Sequence, residues 1–159
     1  MASLYLHIPF CERKCIYCDF YSIENLKPMQ TFVEAIVAEI GMYHSYSYRE
    51  PIETIFLGGG TPSLLPADSL VKIFTALRQN FDILDNAEIT LEANPGTIDQ
   101  EKFFQYRKLG INRLSFGVQS FHQNELDFLG RIHNSEQAIN AVTLARNAGF
   151  DNINIDLIF

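Results

Sequence analysis

The sequence predicts an α/β fold built on a parallel sheet. Five short apolar runs alternate with segments of helical periodicity. The runs read as apolar on both faces, as strands covered by helices do. Polar and thiol side chains collect at the carboxyl ends of the runs, where βα architectures place their chemistry.

Leu4–Ile8 is the first strand, ended by Pro9. A cysteine-bearing loop follows. Residues 29–43 place Phe32, Val33, Ile36, Val37 and Ile40 at helical spacing. A polar connector with Tyr43, Tyr46 and Tyr48, read as packing aromatics, leads through Pro51 to the strand Thr54–Leu57. Gly58-Gly59-Gly60 ends it. Pro66 suits the first turn of a helix running to about Asn80, with Leu70, Ile73, Phe74 and Leu77 on one face. Glu88–Glu92 is a strand, closed by Asn94-Pro95-Gly96. Asp99 caps a helix carrying Phe103, Phe104 and Tyr106, and Gly110 suits its C′ position. Asn112–Phe116 is the fourth strand. Two helical stretches follow. The second is capped by Ser135, closed by Gly149, and carries Ala138, Ile139, Val142 and Ala145 on its apolar face. Ile153–Ile158 is the fifth strand.

The 159 residues suit a single domain, and 47% hydrophobic content excludes intrinsic disorder. A formal charge of −7 argues against nucleic-acid binding, which needs a basic surface. No apolar run approaches the roughly 18–20 residues needed to span a bilayer. The amino terminus lacks the basic and apolar regions of a secretory signal, so a cytoplasmic protein is expected. The fifth strand has no helix behind it, which predicts an incomplete sheet that a longer chain or a partner completes.

All three cysteines fall in one window, Cys11-x3-Cys15-x2-Cys18. An odd, crowded set is not a disulfide framework. Thiolates suit zinc or an iron–sulfur cluster. A structural zinc wants four ligands, and His7 is a candidate for the fourth. A cubane held by three thiolates leaves one iron open to a ligand. Arg13 and Lys14 would favour the thiolate forms. Gly58–Gly60 would let backbone N–H groups approach a ligand, or would simply make a tight turn. Glu92, Gln119, Arg131 and Asp156 fall at or after successive strand ends. Asp156 lies between Ile155 and Leu157, which predicts burial and a partner, for which Arg131 is a candidate. His122 and His133 read as surface or loop residues.

The segment Tyr5-x-His7-Ile8-Pro9-Phe10-Cys11-x3-Cys15-x-Tyr17-Cys18 resembles the signature of radical S-adenosylmethionine (SAM) proteins. Gly58-Gly59-Gly60-Thr61-Pro62-Ser63, Glu92-Ala93-Asn94-Pro95, Arg113–Phe121 and Leu129-Gly130-Arg131-Ile132-His133 resemble the oxygen-independent coproporphyrinogen III oxidase-like branch. That resemblance implies a partial (β/α)6 radical-SAM barrel over residues 1–159, truncated after about the fifth strand. It implies a [4Fe–4S] cluster on Cys11, Cys15 and Cys18, with the amino and carboxylate groups of SAM on the open iron. Reductive cleavage would then yield methionine and a 5′-deoxyadenosyl radical. By position in the motifs, Tyr5, Tyr17, Gly59, Gly60, Thr61, Glu92, Gln119, Arg131 and Asp156 are the implied SAM-site residues.

The sequence departs from the oxidase pattern where that pattern has a further cysteine two residues after the third; here Phe20 stands. The wording Ser115–Phe121 is also more similar to the paralogous heme chaperones of the HemW type. The resemblance therefore implies a heme chaperone, with the oxidase as the alternative and a zinc-stabilised βα domain as the second alternative. Its implied partners are SAM, heme or porphyrin, an electron donor such as a flavodoxin or ferredoxin, and a heme-acceptor protein. The family's last barrel strand, C-terminal domain and heme-contacting histidine motif have no counterpart before Phe159.

Overall fold

The computed structural model describes residues 2–43 and 50–159. Tyr46 and Tyr48 lie outside the described residues. The elements run β1 (Ala2–Ile8), α1 (Met29–Met42), β2 (Ile52–Gly59), α2 (Ala67–Asn80), β3 (Ile83–Ala93), α3 (Gln100–Lys108), β4 (Arg113–Gln119), α4 (Gln123–Leu129), α5 (Ser135–Asn147) and β5 (Asn152–Leu157). Short 3-10 turns, Pro62–Leu64 and Pro95–Thr97, follow β2 and β3.

The five strands pair in parallel in the order β1-β2-β3-β4-β5. The order never reverses, so right-handed crossovers put every helix on the same face of the sheet. This is the winding of a barrel wall rather than of a doubly wound sheet.

Burial follows that winding with period two. Leu6 and Ile8, Ile55 and Leu57, Ile89 and Leu91, and Leu114, Phe116 and Val118 are buried under the helices. They meet Val33, Ile36 and Ile40 of α1, Leu70, Ile73, Phe74 and Leu77 of α2, Phe103 and Tyr106 of α3, and Ala138, Ala141 and Ala145 of α5 in one core. Phe103 stands edge-on to both Phe116 and Phe150, with ring centroids 6.1 and 6.0 Å away. Each fully buried side chain of this size contributes roughly 1.5–3 kcal/mol.

The intervening positions form a second, polar face. Arg113 donates to Thr90 Oγ1 and Asn154 to Ser115 Oγ, each across a strand pair, and Asn152 of β5 reaches past β4 to Glu88 of β3. The expectation of strands apolar on both faces is thus corrected. Tyr5 and Phe56 made the runs look uniformly apolar, yet these two rings stack on each other on the polar side, 6.1 Å apart.

Local signals fared unevenly. Asp99 caps α3 by accepting from Lys102 N, and Gly110 and Gly149 take φ of +90° and +86° as expected of C′ glycines. The cap of α5 is Asn134, not Ser135: Asn134 and Gln137 form a reciprocal capping box. Ile139 is exposed, because the small face of α5 (Ala138, Ala141 and Ala145) is the one that fits against the sheet. β5 is an edge strand among the described residues, and its side chains are largely exposed.

Candidate cluster and cofactor site at the strand ends

The cysteine loop is closed by backbone, not by its thiols. Phe10 bridges to Ile23 in parallel; Cys11 N donates to Ile23 O (3.0 Å) and Ile23 N to Pro9 O (2.7 Å). Within the loop, Lys14 N donates to Glu24 Oε1 at 2.6 Å and Cys18 N to Cys15 O at 3.1 Å. The glycine loop is zipped to the same base. Gly60 N donates to Ile8 O (2.8 Å) and Thr61 N to Phe10 O (2.7 Å).

Those bonds revise the role of the glycines. The N–H groups of Gly60 and Thr61 are already used, so they are not free donors for a ligand. A Cβ on Gly60 would lie 2.6 Å from Phe10 O, and one on Gly59 2.7 Å from the His7 ring. Gly59 also has φ of +113°, a conformation that L side chains rarely adopt. The run is glycine because the backbone of β2 passes against β1 and its extension. Gly59 N donates to Glu92 Oε2 at 3.2 Å.

All three cysteines are free, with Cys11 buried and Cys15 and Cys18 partly exposed. Cys11 Sγ lies 3.5 Å from Thr61 Oγ1. The cation beside a thiol is Arg131, not Arg13 or Lys14. From 116 residues along the chain its Nη1 donates to Cys15 Sγ and to Tyr17 Oη, both at 3.2 Å, and Nη2 donates to Gly117 O. Arg13 and Lys14 project outward. Tyr17's hydroxyl is pushed up to about 12, first by burial, with Arg131 opposing and Cys15 adding to the rise.

A cavity of about 150 Å³ opens between these loops. Tyr17, Cys18, Gly59, Gly60, Thr61, Glu92, Gln119, Arg131 and Asp156 all line it. It therefore gathers residues from the ends of β2, β3, β4 and β5 with the cysteine loop. Tyr5 does not line it; it lines a larger groove of about 640 Å³ along β1 and α1, where no cysteine lies. Asn94, singled out only as a polar strand-end residue, also forms the wall, with Ser115 and Gly117, which sequence reasoning passed over. Strand parity marks Ser115 and Gly117, since both share a face with Gln119.

Glu92 and Asp156 are the cavity's carboxylates. Burial raises the Glu92 pKa; the Gly59 N–H opposes the rise, Asp156 adds to it and His7 opposes it. A cationic ligand between the two would relieve that repulsion. Asp156 is exposed, not buried, and it accepts from Asn154 Nδ2 at 2.8 Å rather than pairing with Arg131. It sits on the polar face of an uncovered edge strand, so the flanking Ile155 and Leu157 do not bury it.

Gln119 is the one non-glycine at positive φ among the described residues, +70°. It follows a shift in the β4–β5 register. Its Nε2 and Arg131 Nη2 lie 3.1 and 3.3 Å from where a Cβ on Gly117 would be, so Gly117 leaves room for both side chains. Left-handed backbone costs a non-glycine residue about 1 kcal/mol. Gln119→Gly should therefore be neutral, or stabilising by up to about 1 kcal/mol, in urea unfolding. A clear loss of stability would mean that the Gln119 side-chain contacts outweigh the strain.

His133, expected on the surface or in a loop, lies in the loop before α5 and is buried there. Its Nε2 lies 3.0 Å from Val118 O and its Nδ1 3.1 Å from Asn94 Oδ1. Donating from Nε2 to Val118 O, it ties the Arg131 loop to the end of β4. His122 is exposed, as expected.

These residues fit a thiolate-held cluster with a zwitterionic ligand. Among the described residues no three His, Cys, Asp or Glu side chains converge on a single-ion position. A cubane would let each thiolate reach a different iron. His7 is no fourth ligand, since both its ring nitrogens are engaged by Tyr5 and Tyr21. Arg131 Nε is buried without a partner, a donor that an anionic ligand group would satisfy.

The chain is similar to known proteins over nearly its whole length. The chain is 40% identical over 158 residues to a heme chaperone, HemW, of Escherichia coli K12, covering 98% of this chain and 42% of that protein. It is 32% identical to an oxygen-independent coproporphyrinogen III oxidase of Synechocystis, over 99% of this chain and 34% of that protein. The solved structure of coproporphyrinogen III oxidase (HemN) from Escherichia coli superposes with a TM-score of 0.92 at 32% identity, covering 99% of this chain and 37% of that one. The chain thus spans about two fifths of the length of the heme chaperones it matches. The pattern described as "Radical SAM superfamily" matches residues 5–159, and the chain belongs to that superfamily, whose members use a [4Fe–4S] cluster and SAM.

Proposed function

We propose that this chain is the cluster- and SAM-binding part of a heme chaperone, a protein that binds heme and passes it to an acceptor. The observation that carries the choice over the oxidase is Phe20. It lines the strand-end cavity at the position where the oxidase pattern has a further cysteine. Greater identity to heme chaperones than to the oxidase supports the same reading.

Cys11, Cys15 and Cys18 would hold the cluster. Glu92 and Asp156 would take the amino end of SAM, Arg131 its carboxylate, and Gln119, Gly59, Gly60 and Thr61 would shape the wall. Tyr17 would hold Arg131 in register, and Tyr5 would act from the adjoining groove. When bound, the cluster supplies the electron for reductive cleavage of SAM. The exposed side chains Ile16, Phe20 and Tyr21 around the cysteine loop suit an electron-donor contact. The rest of the barrel, the heme site and the acceptor-binding surface would lie in a longer protein. No helix among the described residues is long and apolar enough to cross a membrane. Free thiols serving a cluster favour a cytoplasmic, reducing setting.

Two measurements test this. Glu92→Ala and Asp156→Ala should each weaken SAM binding about tenfold or more while leaving iron content intact, since each removes a charged partner worth roughly 1.5–3 kcal/mol. Unchanged SAM affinity in both variants counts against the site. The complete protein, given coproporphyrinogen III, SAM and a reductant, should form no protoporphyrinogen IX and should bind and release heme. Turnover to protoporphyrinogen IX would establish the oxidase instead.

A further inference from the structure

His7 lies one strand-repeat from Tyr5 on the polar face of β1, pointing away from the core. Its ring is engaged on three sides. Nε2 lies 2.9 Å from Tyr21 O, and Nδ1 lies 3.1 Å from Tyr5 Oη. Tyr21 O can only accept, so Nε2 carries the proton. In the neutral ring Nδ1 then accepts from the Tyr5 hydroxyl. The third side is the flat contact with Gly59, where a Cβ would lie 2.7 Å from the ring carbon and from Nδ1.

The consequence is a connection between three segments. Tyr21 is three residues past Cys18 and belongs to the returning limb of the cysteine loop. Gly59 donates its N–H to Glu92. Among the described residues, the limb carrying Cys18 has few other ties to the sheet: Arg131 reaches Tyr17 Oη on its near side, Cys18 N bonds within the loop to Cys15 O, and the next backbone anchor is at Ile23. Tyr17, Phe20 and Tyr21 are all substantially exposed, so packing does little to fix this stretch.

We propose that His7 is a positioning residue for the cluster: its Nε2–H holds the Tyr21 carbonyl and so fixes the limb that presents Cys18. The proposal rests on the cluster assignment above. His7 touches neither a thiol nor the ligand cavity, so it acts through the loop. The bond that matters is the one to Tyr21. The bond from Tyr5 selects the tautomer that makes it.

The test separates the two ring nitrogens. Glutamine places its amide N–H near the Nε2 position, asparagine near Nδ1, and phenylalanine keeps only the ring. The complete protein and its His7→Gln, His7→Asn and His7→Phe variants are reconstituted anaerobically with iron and sulfide. Iron loss to a chelator is then followed by visible absorption, with the thermal midpoint recorded alongside. Loss of one hydrogen bond should speed iron release about five- to tenfold in His7→Asn and His7→Phe, with His7→Gln close to wild type. Equal release from all four proteins overturns the proposal. So does a release rate that follows only the thermal midpoint, with His7→Gln no better than His7→Asn. Wild-type protein that takes up no iron overturns the cluster assignment and the proposal with it. Wild-type protein that holds iron leaves that assignment standing whichever way the variants fall.

Discussion

Replacing any one of Cys11, Cys15 or Cys18 by alanine is expected to abolish the visible absorption and the bound iron and sulfide of the reconstituted protein, while leaving the fold intact. A cubane with a substrate-binding iron has three protein ligands and no spare. The chain has only three cysteines to give. Water or a neighbouring carboxylate is a poor substitute for a soft thiolate. The three losses should be equal in iron content although the sites differ. Cys11 is buried beside Thr61, Cys15 meets Arg131, and Cys18 stands on the cavity wall. Structural stability should change by less than about 1 kcal/mol in Cys15→Ala and Cys18→Ala, which lie in a partly exposed stretch and lose little packing, and by about 1 kcal/mol in Cys11→Ala, whose side chain is buried. The loop base is carried by the Phe10–Ile23 bridge and by the Gly60 and Thr61 N–H groups, none of which involves a thiol. Far-UV circular dichroism and urea unfolding of the iron-free proteins check that half of the expectation. Stoichiometric zinc without iron in the wild-type protein would remove the basis of the whole assignment.

The alternation of strands and helices was legible because each α-crossover repeats the same signals: an apolar run, a cap, a periodic stripe and a terminal glycine. The sheet's one-sidedness was not. Four-residue windows such as Thr54–Leu57 hold too few positions to separate an inner aromatic from a core aliphatic. Phe56 looks like core and is stacked on Tyr5 instead. The order of strands, which decides that all helices share a face, is a tertiary property.

The candidate site divides in the same way. Residue types at strand ends predicted which side chains would meet at the cavity. The pairings were hidden because they join residues distant in sequence. Arg131 reaches Cys15 rather than Asp156, and the N–H groups of Gly60 and Thr61 close onto Ile8 and Phe10. Asp156 misled because flanking apolar residues bury a strand residue only when something covers its face. His133 misled because a loop position says nothing about what folds over it.

His133 should make the protein acid-sensitive over a window that its removal abolishes. Both ring nitrogens face oxygens, Val118 O and Asn94 Oδ1, and Asn94 Oδ1 already accepts from Gly96 N. Two acceptors favour the doubly protonated ring, by roughly 1.5–3 kcal/mol for a charged hydrogen bond. Burial of a charge costs several kcal/mol, and Arg131 adds like-charge repulsion. The second set prevails: burial first and Arg131 next lower the pKa from 6.5 to about 4, with the Val118 carbonyl opposing. Nε2 then keeps the single proton, because Val118 O can only accept.

The sign follows. Above about pH 6.5 the ring is neutral in both folded and unfolded chains and contributes no pH dependence. As pH falls, the unfolded chain takes up a proton that the folded one refuses, so stability drops. The drop is complete near pH 4. A fall from 6.5 to about 4, at 1.36 kcal/mol per pH unit, corresponds to roughly 3 kcal/mol. Urea unfolding of wild type and His133→Gln between pH 7 and pH 4 isolates this contribution, because carboxylate titrations common to both cancel in the difference. Glutamine cannot protonate, yet its amide can still donate to Val118 O. Wild type should lose roughly 3 kcal/mol relative to the variant across that window. Parallel curves would mean that His133 titrates normally. An opposite slope would mean that the two acceptors outweigh burial and Arg131, and that the folded protein carries a buried imidazolium beside its cofactor site.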